Sequence, residues 1–261
     1  MLTSLIVIWR HKDLAWEMAK RDLLMMNKGA LLGWAWIALL PLVQTLLYVV
    51  IVTFVFGSKM PGTSGVFGYV TYVLGGMVAW QLLSRGLTQA PSLLRERMDV
   101  IKQVVYPIET IPLTAMLVSS MSAVVVLILY LGLAAWDGAL RWTTLLFPLP
   151  LALTFLFLIG VSWTLSVVGV VLKDLRELVT VVLSAGVFLS PVTLHPSMLS
   201  EKLWALVMLN PLTHFVIIFR DVLQGEFHAD SWLIAAALTG LALWAGDWVI
   251  QRARLAINQL L

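Results

Sequence analysis

Apolar residues run along this chain in long blocks, not in the short periodic stretches of a soluble domain. Stretches free of Asp, Glu, Lys and Arg occupy residues 29–58, 60–84, 110–136, 142–172, 178–200, 203–219 and 231–246. A helix needs about 20 apolar residues to cross a bilayer. The first five stretches meet that length, and the last extends past Asp247 to Ile250. Stretch 203–219 is shorter and is broken at Asn210-Pro211. The pattern predicts an all-α membrane protein with six transmembrane helices, near 32–57, 68–88, 108–135, 143–172, 177–193 and 231–250.

Before the first block the period changes. Across residues 10–28, Asp13, Glu17 and Arg21 recur four apart on one face, and Ala15, Ala19, Leu23 and Met26 recur at helical spacing on another. This predicts an N-terminal amphipathic helix lying in the membrane interface. The apolar stretch Leu5 to Trp9 is too short for a secretory signal, and its charges follow it, so no cleaved leader is expected. One membrane domain, residues 1–261, accounts for the whole chain.

Composition agrees. Hydrophobic residues make up 61% and charged residues 12%, with a mean hydropathy of +0.95. Soluble domains carry about 25% charged residues. Soluble enzymes and nucleic-acid binders are therefore excluded. The net charge of +3 reports topology. On six spans, thirteen Lys and Arg fall on the side of the N-terminus and four (Lys59, Arg141, Lys202, Arg220) on the other. The positive-inside rule then places both termini in the cytoplasm. A crossing by 203–219 would carry Arg252 and Arg254 outside. Residues 194–228 are therefore expected to dip into the membrane from outside as two short helices meeting at Asn210-Pro211, or to lie there as an ordinary interfacial helix.

Several chemistries have no residues to perform them. There is no cysteine and no G-x-x-x-x-G-K-[ST] run, so no thiolate site and no P-loop. His11, His195, His214 and His228 form no H-E-x-x-H pattern, and no metal is expected. Carboxylates avoid the centres of the spans, which argues against an ion-coupled carrier or a membrane transferase. Asp247 reads as an end-of-span charge reaching Arg252 or water.

Two polar features remain. In the loop 89–107, Pro91 opens a helix expected over residues 91–103, with Arg95, Glu96, Arg97, Asp99 and Lys102 charged and Leu94, Met98 and Ile101 on one apolar face. A docking surface for a cytoplasmic subunit and a solvated loop both fit that spacing. In the first span Thr45 and Tyr48 share a face, and in the fifth Thr180, Ser184 and Phe188 recur four apart. Lipid offers these groups nothing, so they face other helices or a pore.

These residues resemble a known family. Arg21-Asp22, Lys28, Leu32-Gly33, Trp36 and Pro41-Leu42 are similar to the start of the first span in type-2 ABC exporter permeases of the Wzm and TagG kind. Lys102 with Tyr106-Pro107-Ile108-Glu109 and Pro112, Lys173-Asp174-Leu175-Arg176, Ser190-Pro191, Asn210-Pro211-Leu212-Thr213, Phe219-Arg220-Asp221 and Gly225 follow in the family's order. The resemblance implies the non-enzymatic permease subunit of an exporter of lipid-linked, O-antigen-like polysaccharide, with teichoic acid, capsule or a small lipid or drug as alternative substrates. It implies a homodimer in a bacterial inner membrane and two copies of a separate ATPase subunit that binds the ATP and Mg. This chain itself would hold no cofactor and contact no nucleic acid, only the glycan and membrane lipid. The 91–103 helix would couple to the ATPase, and the first and fifth spans would line the channel. Residues 194–228 would form an external gate, with Trp204, Asn210, Pro211, His214, Arg220 and Asp221 its candidate residues.

Overall fold

A computed structural model describes residues 3–25, 32, 35–51, 66–98, 107–192 and 194–258. Among them every regular element is helical. The chain forms α1 (Thr3–Arg10), α2 (Lys12–Met25), α3 (Ala35–Val50), α4 (Val66–Gln89), α5 (Leu93–Glu96), α6 (Ile111–Trp136), α7 (Pro148–Val171), α8 (Leu175–Gly186), α9 (Glu201–Leu209), α10 (Pro211–Arg220) and α11 (Ala229–Asn258). Among the described residues, three helical stretches are long and apolar enough to cross a membrane: Ile108–Trp136, Trp142–Val171 and Ala229–Leu255. Pro112 and Pro148 stand at helix starts, where the missing N–H costs nothing.

α4 lies at the centre. Every residue from Thr71 to Leu83 is buried, and α4 packs against α3, α6, α7, α8 and α10. A helix enclosed by protein on all sides need not be as apolar as one facing lipid. Tyr72, Gly75, Gly76 and Gln81 therefore sit within it, and its 24 residues reach about 36 Å. α7 and α11 form the other main contact. A Cβ at Gly246 would collide with the Gly160 carbonyl, so the glycines set how closely the two backbones approach.

The structure departs from the expected elements in three places. The amphipathic segment is two helices, α1 and α2, and helix begins at Thr3, ahead of residue 10. The reason lies in α11: Asp247 is buried, and its Oδ1 accepts the backbone N–H of Ser4 at 3.1 Å and Gln251 Nε2 at 3.0 Å. A carboxylate at a helix N-terminus satisfies a donor that no turn can reach. Asp247 is thus a partner of α1 and not a free end charge.

The helix expected over residues 91–103 begins as a 3-10 turn at Ala90–Ser92 running straight out of α4, continues as the four-residue α5, and is interrupted by a turn at Arg97 before Met98, which is helical again. Asp99 and Lys102 lie outside the described residues. The fifth span, expected to reach 193, ends as α8 at Gly186, and residues 187–189 are turns before Ser190-Pro191. At residues 194–228 the expected pair of short helices is present: Glu201–Leu209 and Pro211–Gly225 meet at 99°. Asn210 makes that bend: its Oδ1 accepts Leu212 N–H at 3.0 Å and caps α10, with Pro211 in the first turn.

Candidate functional site

A polar groove runs between α3, α4 and α8 in an otherwise apolar frame. Its cavity holds about 320 Å³, with Gln44, Tyr48, Gln81, Arg85, Thr180 and Ser184 among its walls. Gln81 Nε2 donates to Gln44 Oε1 at 3.3 Å, tying α4 to α3. Thr180 Oγ1 donates to the Arg176 carbonyl and Ser184 Oγ to the Thr180 carbonyl, each at 2.8 Å. These back-bonds satisfy the hydroxyl protons within α8 and leave oxygen lone pairs facing the groove. At its edge the Tyr48 and Phe188 rings meet at 5.7 Å and 59°.

The residues singled out in the first and fifth spans thus divide. Tyr48, Thr180 and Ser184 share the groove, and Phe188 joins it through Tyr48, although it stands in a turn past the end of α8. Thr45 is elsewhere: it is 1% exposed, absent from the groove walls, and its Oγ1 has no hydrogen-bond partner among the described residues. The 3.6-residue period turns it away from Gln44. Sequence reasoning missed the α4 contribution. Gln81, Ser84, Arg85 and Thr88 recur at i, i+3, i+4 and i+7, a polar stripe hidden because only Arg85 carries charge.

At the α5 end of the bundle, the charged residues form ion pairs. Arg97 pairs with Asp22 of α2. Arg176 at the start of α8 pairs with Glu96 at 3.2 Å, both more than 40% exposed. Arg95 donates to the Lys173 carbonyl at 3.5 Å, a long contact. Glu109, buried before α6, pairs with Arg254 of α11 at 3.0 Å. A Cβ on Gly169 would run into the Pro91 carbonyl, so α7 and the 90–92 turn touch backbone to backbone.

At the opposite end, the candidate gate residues close around Arg220, which is 5% exposed. Its Nη1 donates to Tyr72 Oη at 2.6 Å and its Nη2 to the Val192 carbonyl at 2.9 Å, and its guanidinium lies 3.5 Å from the centre of the Tyr72 ring. Asp221 accepts His228 N–H at 2.9 Å and Trp232 Nε1–H at 2.9 Å, and His228 Nδ1 lies 2.7 Å from its other oxygen. His214 bridges the Met208 carbonyl (3.1 Å) and Ser231 Oγ (3.3 Å). Trp204 lines a cavity of about 190 Å³ together with Tyr72, His195, Arg220, Glu226 and His228. Partial burial, then the Arg220 charge, hold the His195 imidazole below its ordinary pKa. Asp221, Glu226 and His228 offer ligand atoms within 4.8 Å of one another. Both Asp221 oxygens are already engaged, so the group reads as a hydrogen-bonded hub. Tyr72 went unremarked as a partner in the sequence because it lies 148 positions from Arg220. Glu226 and His228 stand close to Arg220 along the chain, but their spacing matches no ligand or catalytic pattern.

Known proteins place this architecture. The chain resembles the O-antigen export system permease protein RfbA of Myxococcus xanthus, with 24% identity over 254 residues covering 95% of each chain. Two proteins of the same name from Klebsiella pneumoniae match at 22% over 234 residues and 21% over 236, in each case 88% of both chains. The family model for ABC-2 type transporters matches residues 15–223, from α2 through the helix pair bent at Asn210 to the segment after Arg220. A match over most of the chain, on a bundle of apolar helices, makes this a multi-pass membrane protein, and the chain belongs to the ABC-2 type transporter family.

Proposed function

We propose that this chain is the permease subunit of an ABC transporter that exports a lipid-linked, O-antigen-like polysaccharide across a bacterial inner membrane. Two copies pair so that their grooves face each other and form the channel. ATP and Mg are bound by two copies of a separate ATPase, which dock against the end carrying α5. The chain crosses the membrane six times with both termini cytoplasmic, and α1 and α2 lie on the cytoplasmic surface. Residues 194–228 dip in from outside as the gate.

The observation that carries this reading is the groove itself. It sets Gln, Thr and Ser side chains beside the Tyr48–Phe188 ring pair, inside a frame with no other use for them. Rings and scattered hydroxyls hold a sugar chain weakly at many points, which suits a polymer that must keep moving. The names of the relatives support the substrate class. Exposed Arg95 and Glu96 support docking at α5.

Deleting the gene should remove polymeric glycan from the cell surface while lipid-linked glycan accumulates inside, and the intact gene should restore it. Unchanged surface glycan would overturn the reading. Tyr48→Leu and Phe188→Leu keep bulk and apolarity. Each should slow export while leaving ATPase association intact, and wild-type export in both would make the rings packing residues only. The cysteine-free chain suits labelling: cysteines at Ser197 and Glu226 should both react from outside, and reaction from opposite sides would refute the re-entrant pair.

A further inference from the structure

Arg85 is the one charged residue of α4, half-buried and one turn from its end. Among the described residues its guanidinium has no ion pair and no hydrogen bond, unlike Arg97, Arg176, Arg220 and Arg254. An arginine that only marked the cytoplasmic end of a span would be free to point at headgroups in the bilayer. This one lines two cavities at once. It is in the wall of the polar groove and in the wall of a small cavity of about 30 Å³ between α3, α4 and α6. Gln89 lines both as well and accepts Ser119 Oγ–H at 3.2 Å.

The small cavity shares Ile37 with a third, of about 410 Å³, enclosed by α2, α3 and α6. That third cavity is apolar, walled by residues such as Trp16, Leu23, Leu117 and Met121, with Lys20 its single charged residue. The three therefore follow in the order apolar pocket, unpaired guanidinium, polar groove. A lipid-linked glycan has its parts in the same order: hydrocarbon tail, anionic phosphate linkage, sugars. A half-buried cation without a counter-ion is costly unless an anion completes it. Arginine's planar fork of donors fits phosphate oxygens two at a time.

The geometry points to Arg85 as the group that holds the phosphate-bearing linkage of the lipid-linked substrate at the cytoplasmic mouth of the groove. The assignment rests on the export reading above and adds which part of the substrate is recognised, and where. Free phosphate lacks the tail that the apolar pocket would take. An ordinary anionic phospholipid lacks the sugars that the groove would take.

The test uses the full chain co-purified with its ATPase in nanodiscs of zwitterionic lipid. The probes are a long-chain polyprenyl diphosphate, the uncharged polyprenol, phosphatidylglycerol and inorganic pyrophosphate, with binding read by native mass spectrometry. Wild type should prefer the diphosphate to the polyprenol. Arg85→Gln should weaken the diphosphate by about tenfold or more, the scale of one charged hydrogen bond, and leave polyprenol binding unchanged. Arg85→Lys should recover part of the loss. Should Arg85→Gln fail to assemble, Thr88→Glu places a carboxylate one turn away, keeps the arginine and should weaken the diphosphate likewise.

Wild-type diphosphate binding in the assembled variants overturns the assignment. An equal loss of phosphatidylglycerol overturns it too, and makes Arg85 an interfacial anchor. Displacement of the lipid by equimolar pyrophosphate overturns the lipid as the anion's source. Absence of any diphosphate preference in wild type also removes the assignment. The export reading is judged apart from all of these, by surface glycan in the deletion strain.

Discussion

At the α5 end of the bundle, Arg97, Arg176 and Arg254 each meet a carboxylate contributed by another segment. At the end carrying α9 and α10, Arg220 meets none among the described residues, and is held instead by the Tyr72 hydroxyl, the Val192 carbonyl and the face of the Tyr72 ring. For the Arg176–Glu96 pair the difference lies in solvent, whereas Glu109, the partner of Arg254, is itself buried. Side chains of the Arg176–Glu96 pair are 43% and 57% exposed, so water screens their attraction and the pair is worth about 1 kcal/mol or less. Arg220 has given up water, so its two Nη donors rely on protein acceptors, while its buried Nε has no hydrogen-bond partner among the described residues. Weak, separable pairs would suit the proposed docking of an ATPase at that end. A more enclosed network would suit the proposed gate.

The sharpest way to break this contrast is at Arg220. Arg220→Met would leave the Val192 carbonyl without this donor and the Tyr72 hydroxyl with only its bond to the Leu194 carbonyl, and should cost about 3 kcal/mol. Thermal unfolding of the purified protein reads this, and Arg220→Lys should fall between, since an ammonium cannot span both acceptors. A melting temperature equal to wild type in Arg220→Met would show the network to be incidental.

Next in size is Gly169→Val. The α5 end has one rigid element, the backbone contact of α7 with the Pro91 carbonyl, and an added side chain must force them apart at a cost of about 2 kcal/mol. ATP hydrolysis stimulated by the permease should fall with it. Retained stability and retained stimulation together would mean that the contact is not maintained.

The ion pairs should matter less. Asp22→Arg should lower stability by about 1 kcal/mol or less, and Asp22→Arg combined with Arg97→Asp should restore it. The swap also separates two roles of Arg97. Stimulated hydrolysis that returns along with stability makes Arg97 a tie between α2 and α5. Hydrolysis that stays uncoupled makes it a contact for the ATPase. Smallest of all, Glu96→Gln should shift stability by a few tenths of a kcal/mol at most, and a larger shift would show the Arg176 pair to be shielded from water.

Sequence pattern reached far into the fold where lipid or interface imposes it. Ile111–Trp136 and Pro148–Val171 begin and end within about five residues of the spans predicted for them, whereas Ala229–Asn258 starts near its predicted position but runs on past Ile250 to Asn258. Asn210-Pro211 marked the bend because cap and proline chemistry is local. The fifth span was drawn too long for a physical reason. Spacing can show which face a helix would have, but not where neighbouring backbone and turns stop it.

The groove was half legible. Tyr48, Thr180 and Ser184 stood out as polar groups in apolar runs, whereas Gln81 and Arg85 needed the finding that α4 is wrapped by protein on every side.

Sequence by itself determined that this chain lives in a membrane, which segments are apolar helix, and which family's motifs it carries, because hydrocarbon allows a spanning backbone few other forms. Tertiary structure decided which polar groups meet. Tyr72 finds Arg220 from 148 positions away, Asp247 finds Ser4 from 243, and Glu109 finds Arg254 from 145. Such partners follow no period along the chain. They exist because a buried donor or acceptor must be satisfied by whatever the packing of the helices brings beside it.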